Sequence, residues 1–168
     1  MAKQAGTRSL EIEQHLHLQQ AMHVARRIGL LLLAIGLLAA LAGALGGNGP
    51  LAQASAGAGP LEATYPRFSR YQMPTRFELE VDTAAISGDT FDITFAGEHA
   101  RKFSFEDILP QPKEVAAADG RVRYTFNVAP GERQLIVLQG QPETIGWLSG
   151  TVSIAGRPPL PIDSFIYP

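Results

Sequence analysis

Residues 28–47 form an uninterrupted run of Leu, Ile, Ala and Gly, and this run limits what the chain can fold into more than any other feature. At about 1.5 Å per residue, a helix of this length spans about 30 Å, which is the thickness of the hydrocarbon core of a bilayer. A helix also satisfies its own backbone hydrogen bonds in lipid. We therefore predict a transmembrane helix over residues 28–47.

The flanks of the run predict its orientation. Arg26 and Arg27 precede it, and no charged residue occurs at positions 28–61. Since basic residues stay on the cytoplasmic side, we expect a single-pass signal-anchor in the plasma membrane, with the N-terminus cytoplasmic and the C-terminal domain extracytoplasmic. A signal peptide cleaved after the small residues 52–54 is an alternative, although the run exceeds the usual 7 to 15 apolar residues. A buried core helix of a soluble protein is a second alternative.

Small residues recur along the predicted helix. They would let a second helix approach closely, so we predict contact with an integral membrane protein or self-association, in addition to the lipid bilayer. Half of the run is Ala or Gly, so chance spacing is the alternative interpretation. The predicted helix-packing residues are Gly29, Gly36, Ala40, Gly43 and Gly47.

Residues 1–27 are predicted to be a short cytoplasmic tail, helical from a cap at Ser9, because no Pro or Gly interrupts positions 9–27. The tail contains His15, His17 and His23. A solvated helix surface accounts for all three, because His15 and His17 point apart on a helix.

Composition changes after the run. Residues 48–64, rich in Gly, Pro and Ala, predict a flexible linker, and residues 65–168 contain every aromatic residue and are predicted to form the extracytoplasmic domain. The start of this domain mixes aromatic and Arg side chains, which suit contact with a partner or with the membrane interface, although an ordinary first strand is the alternative. These predicted contact residues are Tyr65, Arg67, Phe68, Arg70 and Tyr71.

Apolar and polar residues alternate with period two along the predicted domain, as in 77–82, 91–95 and 122–128. This pattern is typical of half-buried antiparallel strands. Further candidates lie at 103–105, 134–138, 144–154 and 164–167. About seven strands in this length favour a mainly β fold, an immunoglobulin-like antiparallel β-sandwich, with a small open barrel as the alternative.

The sequence offers few candidate catalytic or metal-binding residues. The chain has no Cys, which excludes disulfides and thiolate metal sites, and its net charge of -2 argues against a nucleic acid partner. Ser104 and His99 lack a nucleophile elbow, and Asp82, Asp89 and Asp92 do not have the spacing of a calcium loop. We therefore predict no catalytic residues, no metal ligands and no cofactor.

Three segments carry a resemblance to known sequences: Gly-Gly-Asn-Gly-Pro-Leu at 46–51, Tyr-Pro-Arg-Phe-Ser-Arg at 65–70, and the ending Gly-Arg-Pro-Pro-Leu-Pro-Ile-Asp-Ser-Phe-Ile-Tyr-Pro. Through them the chain resembles uncharacterised bacterial single-pass membrane proteins with a short cytoplasmic N-terminal tail and an extracytoplasmic β-domain. The resemblance implies the same topology and brings no catalytic residues.

Together these features predict a membrane-anchored, non-enzymatic interaction or accessory module whose β-domain binds another protein, itself expected to be a membrane protein. One rival hypothesis is a small-ligand or lipid-binding domain, which requires an apolar pocket between the sheets. The other is a hydrolase, which requires a buried Ser–His or carboxylate cluster.

Overall fold

The computed structural model describes residues 16–43, 51–129, 131 and 133–168. It divides into two units with the boundary after Leu38, and each is described separately. The predicted cap at Ser9 and the predicted packing residue Gly47 lie outside the described residues.

The first unit contains most of the helix α1, Leu16–Leu41, whose last three residues fall in the second unit. The helix segment Met22–Leu41 is long and apolar enough to cross a membrane, and it is not buried inside the protein. The helix ends six residues before the predicted boundary at 47. Gly43 has a φ of 95° in the turn that follows, and its N–H donates to Ala40 O at 3.0 Å. Glycine adopts this left-handed conformation without strain, which explains the earlier end.

The second unit is a sandwich of two sheets. Its described residues contain eleven strands, a short 3-10 helix (Thr83–Ala85) between β4 and β5, and one short α-helix, α2 (Glu98–Lys102), between β5 and β6. The sheets have the orders β1-β2-β4-β9-β6 and β3-β11-β10-β5-β8-β7. The strands are β1 (Gln53–Ala58), β2 (Leu61–Pro66), β3 (Phe68–Arg70), β4 (Thr75–Asp82), β5 (Thr90–Gly97), β6 (Phe103–Leu109), β7 (Glu114–Ala118), β8 (Arg121–Asn127), β9 (Arg133–Pro142), β10 (Gly146–Ile154) and β11 (Leu160–Tyr167).

The strands predicted from alternation are present, and their apolar residues face the interior. In β4, for example, Phe77, Leu79 and Val81 are buried, whereas Glu80 and Asp82 are exposed. The alternating pattern buries one face of the strand, because successive side chains point to opposite sides. The mainly β, two-sheet sandwich preceded by an N-terminal apolar helix is confirmed.

Aromatic rings fill the centre of the sandwich. Phe105 lies 5.5 Å from Phe77, 5.1 Å from Phe95 and 5.0 Å from Phe103, measured between ring centroids. Phe77 and Phe103 meet edge to face at 5.1 Å. Interlocking rings at these distances are a favourable arrangement for a core without disulfides.

Two parts of the predicted architecture are wrong. The segment predicted as the linker 48–64 contains β1 and most of β2, and its residues Leu61 and Ala63 are fully buried in the core. Cross-strand hydrogen bonds hold these small residues in place, so a Gly- and Ala-rich composition does not make them flexible. The count of about seven strands, all antiparallel, is also too simple, since β3 pairs in parallel with β11.

Candidate functional site

The predicted contact segment 65–71 is divided between the core and the surface. Tyr65 is only 8% exposed, and its ring stacks on Phe77 at 6.3 Å with an interplanar angle of 14°. It follows Leu61 and Ala63 on the inward face of β2. The period of β2 thus places the Tyr65 ring inside the sandwich, which leaves little of it accessible to a partner.

Arg67 lies where the chain passes from one sheet to the other. Its N–H donates to Ala52 O at 2.8 Å, and its carbonyl accepts the N–H of Phe165 at 2.7 Å. The main chain is thus held on both sides while the Arg67 side chain is exposed. Such a fixed backbone presents a charged side chain in a defined position.

Three aromatic residues form a row across β10, β11 and β3. Trp147 is the register partner of Phe165, and Phe165 is the register partner of Phe68. Trp147 is 68% exposed, and its ring centroid lies 5.3 Å from that of Phe165. Their neighbours Leu148 and Ile166 are buried, so the row points away from the core. We call Trp147, Phe165 and Phe68 the aromatic row.

Sequence reasoning identified only Phe68 of this row. Trp147 and Phe165 lie in segments with apolar residues on both faces, so alternation does not tell which residue is outside. The signal that was available is the single Trp of the chain beside Leu148 in a predicted strand.

Two shallow depressions flank Phe68. One, of about 360 Å³, is lined by residues that include Arg67, Trp147 and Asp163. The other, of about 390 Å³, is lined by residues that include Arg70 and Met73. The aromatic row is therefore bordered by charged side chains of both signs. Tyr71, the last predicted contact residue, is half-buried, and its N–H donates to Tyr167 O at 2.8 Å.

The predicted helix-packing residues are only partly brought together. Gly29, Gly36 and Ala40 lie on α1, but Gly43 lies in the turn beyond its end. Apart from the helix's own backbone, a Cβ added at Gly29 or Gly36 would meet no atom of the described residues within 4 Å. These two positions are open along the helix.

The structure contains a buried Ser–His pair that the sequence did not predict. His99 Nε2 lies 3.4 Å from Ser164 Oγ, and both residues are fully buried. Ser164 donates its hydroxyl proton to Pro66 O at 2.9 Å, so the ring is the donor to Ser164 and Nδ1 is its unprotonated nitrogen. A serine nucleophile needs the opposite arrangement, with its proton directed at the imidazole and its oxygen accessible.

Burial also keeps His99 neutral. Desolvation lowers the pKa of His99 to about 4, and the nearby Asp163 and Glu98 oppose this shift only in part. Nδ1 has no hydrogen-bond partner within the described part of the chain. The His99 ring lies close against the backbone of Gly150, because a Cβ added to that glycine would lie only 2.9 Å from Nδ1. His99 therefore packs as a core residue.

The acidic residues considered for calcium serve local roles. Asp82 accepts the N–H of Ala84 at 3.1 Å, and Asp92 accepts the hydroxyl of Thr125 at 2.6 Å. Among the residues that the structure describes, no three His, Asp or Glu side chains gather in a group suited to a metal ion.

Comparison with known proteins finds similarity at the level of structure. No protein-family model matches the sequence, and no curated protein matches it. Among solved structures, the chain is similar to a cohesin module from the Clostridium perfringens ATCC13124 family 33 glycoside hydrolase, with 15% identity and a TM-score of 0.38. That match covers 65% of this chain and 96% of the module.

Proposed function

We propose that this chain is a membrane-anchored, non-enzymatic module whose β-sandwich binds another protein through the aromatic row. The observation that carries the proposal is the exposure of Trp147 at the end of a row of three aromatic residues on the outer face of a sheet. In protein–protein interfaces, large aromatic side chains bordered by charged residues commonly contribute most of the affinity.

The mixed charges around the row favour a protein over a lipid surface. Arg67 and Arg70 would suit anionic headgroups, but Asp163 is an outward-facing carboxylate in the same depression as Trp147. A protein surface can match both signs at once, and an integral membrane protein is the partner class most accessible to an anchored domain.

The interior supports surface binding over the rival ligand-binding function. Rings at 5.0 to 5.5 Å occupy the space between the sheets around Phe105. The Ser164–His99 pair lies in the same interior with its hydroxyl proton directed at Pro66, which supports a non-enzymatic role.

The membrane anchor is part of the proposal. Met22–Leu41 is long enough to span a bilayer, and Arg26 and Arg27 favour a cytoplasmic N-terminus. The sandwich would then lie outside the cytoplasm, at the bacterial inner membrane. An alkaline phosphatase fused after Pro168 should be active, and an inactive fusion would overturn this topology.

The binding surface is tested with a photoreactive amino acid at position 147, introduced into the full chain in its own membrane. We expect a cross-link to a discrete protein that is lost in a Phe68→Ala background. Leu135→Ala is the matched control, because Leu135 is also exposed but lies on β9 of the other sheet. A product that survives Phe68→Ala, or cross-links to lipid alone, would contradict the proposal.

A further inference from the structure

Strand β7 forms one edge of the six-stranded sheet, and among the described strands it pairs only with β8. Edge strands carry unpaired N–H and C=O groups, and proteins usually guard them with bulges, charges or short length. The register of edge strand β6 shifts at Phe105, and β3 has three residues. By contrast, β7 has a regular register over five residues, four of them exposed. This edge is open to a further strand.

The charged residues before and after β7 make the strand complementary in charge to a second copy of itself. Lys113 precedes the strand and Asp119 follows it, each three positions from Ala116. When two copies of β7 lie antiparallel with Ala116 facing Ala116, Lys113 of each copy lies at the same end of the strand pair as Asp119 of the other, where the turn after β7 begins. Opposite charges at both ends of the pair favour this antiparallel arrangement.

The outer face of the sheet adds a second charge pair. In the same register, Glu114 of one copy faces Ala118 of the other, and Ala118 is the register partner of Arg121 on β8. Only a methyl group then separates the carboxylate from the guanidinium. Neither Glu114 nor Arg121 makes an ion pair within the described residues.

The outer face of the sheet has room beside β7 for the side chains of a second copy. A depression of about 480 Å³ is lined by Ala116, Ala118, Arg121 and Arg123, among others. Small residues on β7 leave the Arg side chains free to reach beyond the edge of the sheet.

The inner face of β7 is incompletely covered. Val115 is 54% exposed, although its register partner Tyr124 is buried. In the antiparallel pair, Val115 of each copy faces Ala117 of the other, so the apolar side chain gains a neighbour. The same register thus matches charges on the outside and apolar groups on the inside.

We infer that β7 joins two copies of this chain, antiparallel about a two-fold axis through Ala116, so that two six-stranded sheets become one of twelve strands. A single patch contacting its own copy is the usual geometry of a symmetric dimer. A second copy is favoured over a strand of another protein because the complementary charges lie in the chain's own sequence. This contact uses a different surface from the aromatic row and stands independently of the proposed function.

A single cysteine tests the register, because the chain has none of its own. Residues directly opposite in antiparallel strands have Cα atoms about 4.5 to 5.5 Å apart, within the range that a disulfide accepts. The Ala116→Cys chain, oxidised in its membrane, should therefore form disulfide-linked dimers. Ala118→Cys is the matched control on the same strand, since the two Ala118 residues lie about 13 Å apart along the paired strands.

We expect about tenfold more cross-linked dimer from Ala116→Cys than from Ala118→Cys, because only the first meets the geometry of the bond. The Trp147→Ala background should not change this ratio, which separates the dimer from the partner-binding function. Equal yields at the two positions would overturn the inference. The absence of cross-linking would also overturn the inference, including the case in which another protein pairs with the edge of β7.

Charge reversal provides a second measurement. In the Ala116→Cys background, Glu114→Arg or Arg121→Glu should lower the yield about fivefold, since each places like charges next to each other. The two changes together should restore the yield, because they exchange the partners without removing the pair. A double variant no better than either single one would count against this register.

Discussion

Ser164 and His99 meet inside the sandwich, with 3.4 Å between the serine Oγ and the ring Nε2. The serine hydroxyl donates to a backbone carbonyl, so the pair fixes the ring as a neutral donor. This arrangement makes the stability of the domain depend on pH.

The free energy of unfolding should fall by about 2 kcal/mol between pH 7 and pH 5. Burial holds the pKa of His99 at about 4, below the ordinary 6.5. Between these values the unfolded chain binds a proton that the folded chain does not, so stability is lost as the pH drops. Urea unfolding of the full chain in detergent, followed by the fluorescence of Trp147, measures the change. His99→Gln should remove most of it, and an unchanged pH dependence in that variant would contradict the assignment.

Tyr65 and Phe68 should respond differently to truncation, although both belong to the predicted contact segment. Tyr65→Ala removes a ring stacked in the core and should cost about 3 kcal/mol of stability. Phe68→Ala changes an outward-facing side chain and should cost less than about 1 kcal/mol. Thermal or urea unfolding compares them directly. A larger loss for Phe68→Ala would mean that the aromatic row is structural.

A fragment of residues 51–168 should fold as a soluble all-β unit, and residues 67–168 should not. The shorter fragment lacks β1 and β2, so β4 loses its hydrogen-bonded neighbour and Leu79 and Val81 lose their cover. Circular dichroism and melting curves of the two fragments test this expectation. Equal melting temperatures would show that the first two strands are dispensable.

The anchor should be retained in the mature protein. Cleavage after Ala54 would remove the first two residues of β1 and the Ala52 carbonyl that accepts the N–H of Arg67. The intact mass of the protein purified from membranes should therefore include residues 1–54. A chain beginning at Ser55 would establish a signal peptide instead.

The predicted helix contact is tested at Gly36. Because a Cβ there meets no atom of the described residues beyond the helix's own backbone, Gly36→Leu should mainly affect contacts with another molecule. If small residues form a helix–helix contact, the substitution should weaken association in detergent while insertion persists. Ala34→Leu, about 160° around the helix from Gly36, is the control. Complexes that survive both substitutions equally would show that the spacing is compositional chance.

The parts of the fold that the sequence predicts are those with strong contrast between faces. Strands such as β4 alternate Phe, Leu and Val with charged residues, so only one register buries the apolar side chains. In β1 (Gln-Ala-Ser-Ala-Gly-Ala) and β7 (Glu-Val-Ala-Ala-Ala), small residues provide no such contrast. Their strands are fixed by hydrogen bonds to β2 and β8, which local composition does not encode.

The candidate surface was harder to predict, for a related reason. Trp147 and Phe68 are 79 positions apart and become neighbours only because β11 lies between their strands. β3 and β11 lie far apart in the sequence and no turn connects them, so no local pattern predicts their parallel pairing. Sequence reasoning could therefore find Phe68 beside two Arg residues but could not find the rest of the row.

The backbone bonds of Arg67 have a mechanical consequence. They tie the residue before β1 to the last strand, and the parallel pair of β3 and β11 begins immediately afterwards. When a membrane tether pulls on the start of the domain and a bound partner pulls on β11, these strands are sheared along their length. Hydrogen bonds loaded in this way share the force and must break together, whereas bonds at the end of a peeled hairpin break one at a time. If the helix anchors the domain as we propose, these bonds would carry load between the start of the domain and the surface that we propose a partner holds.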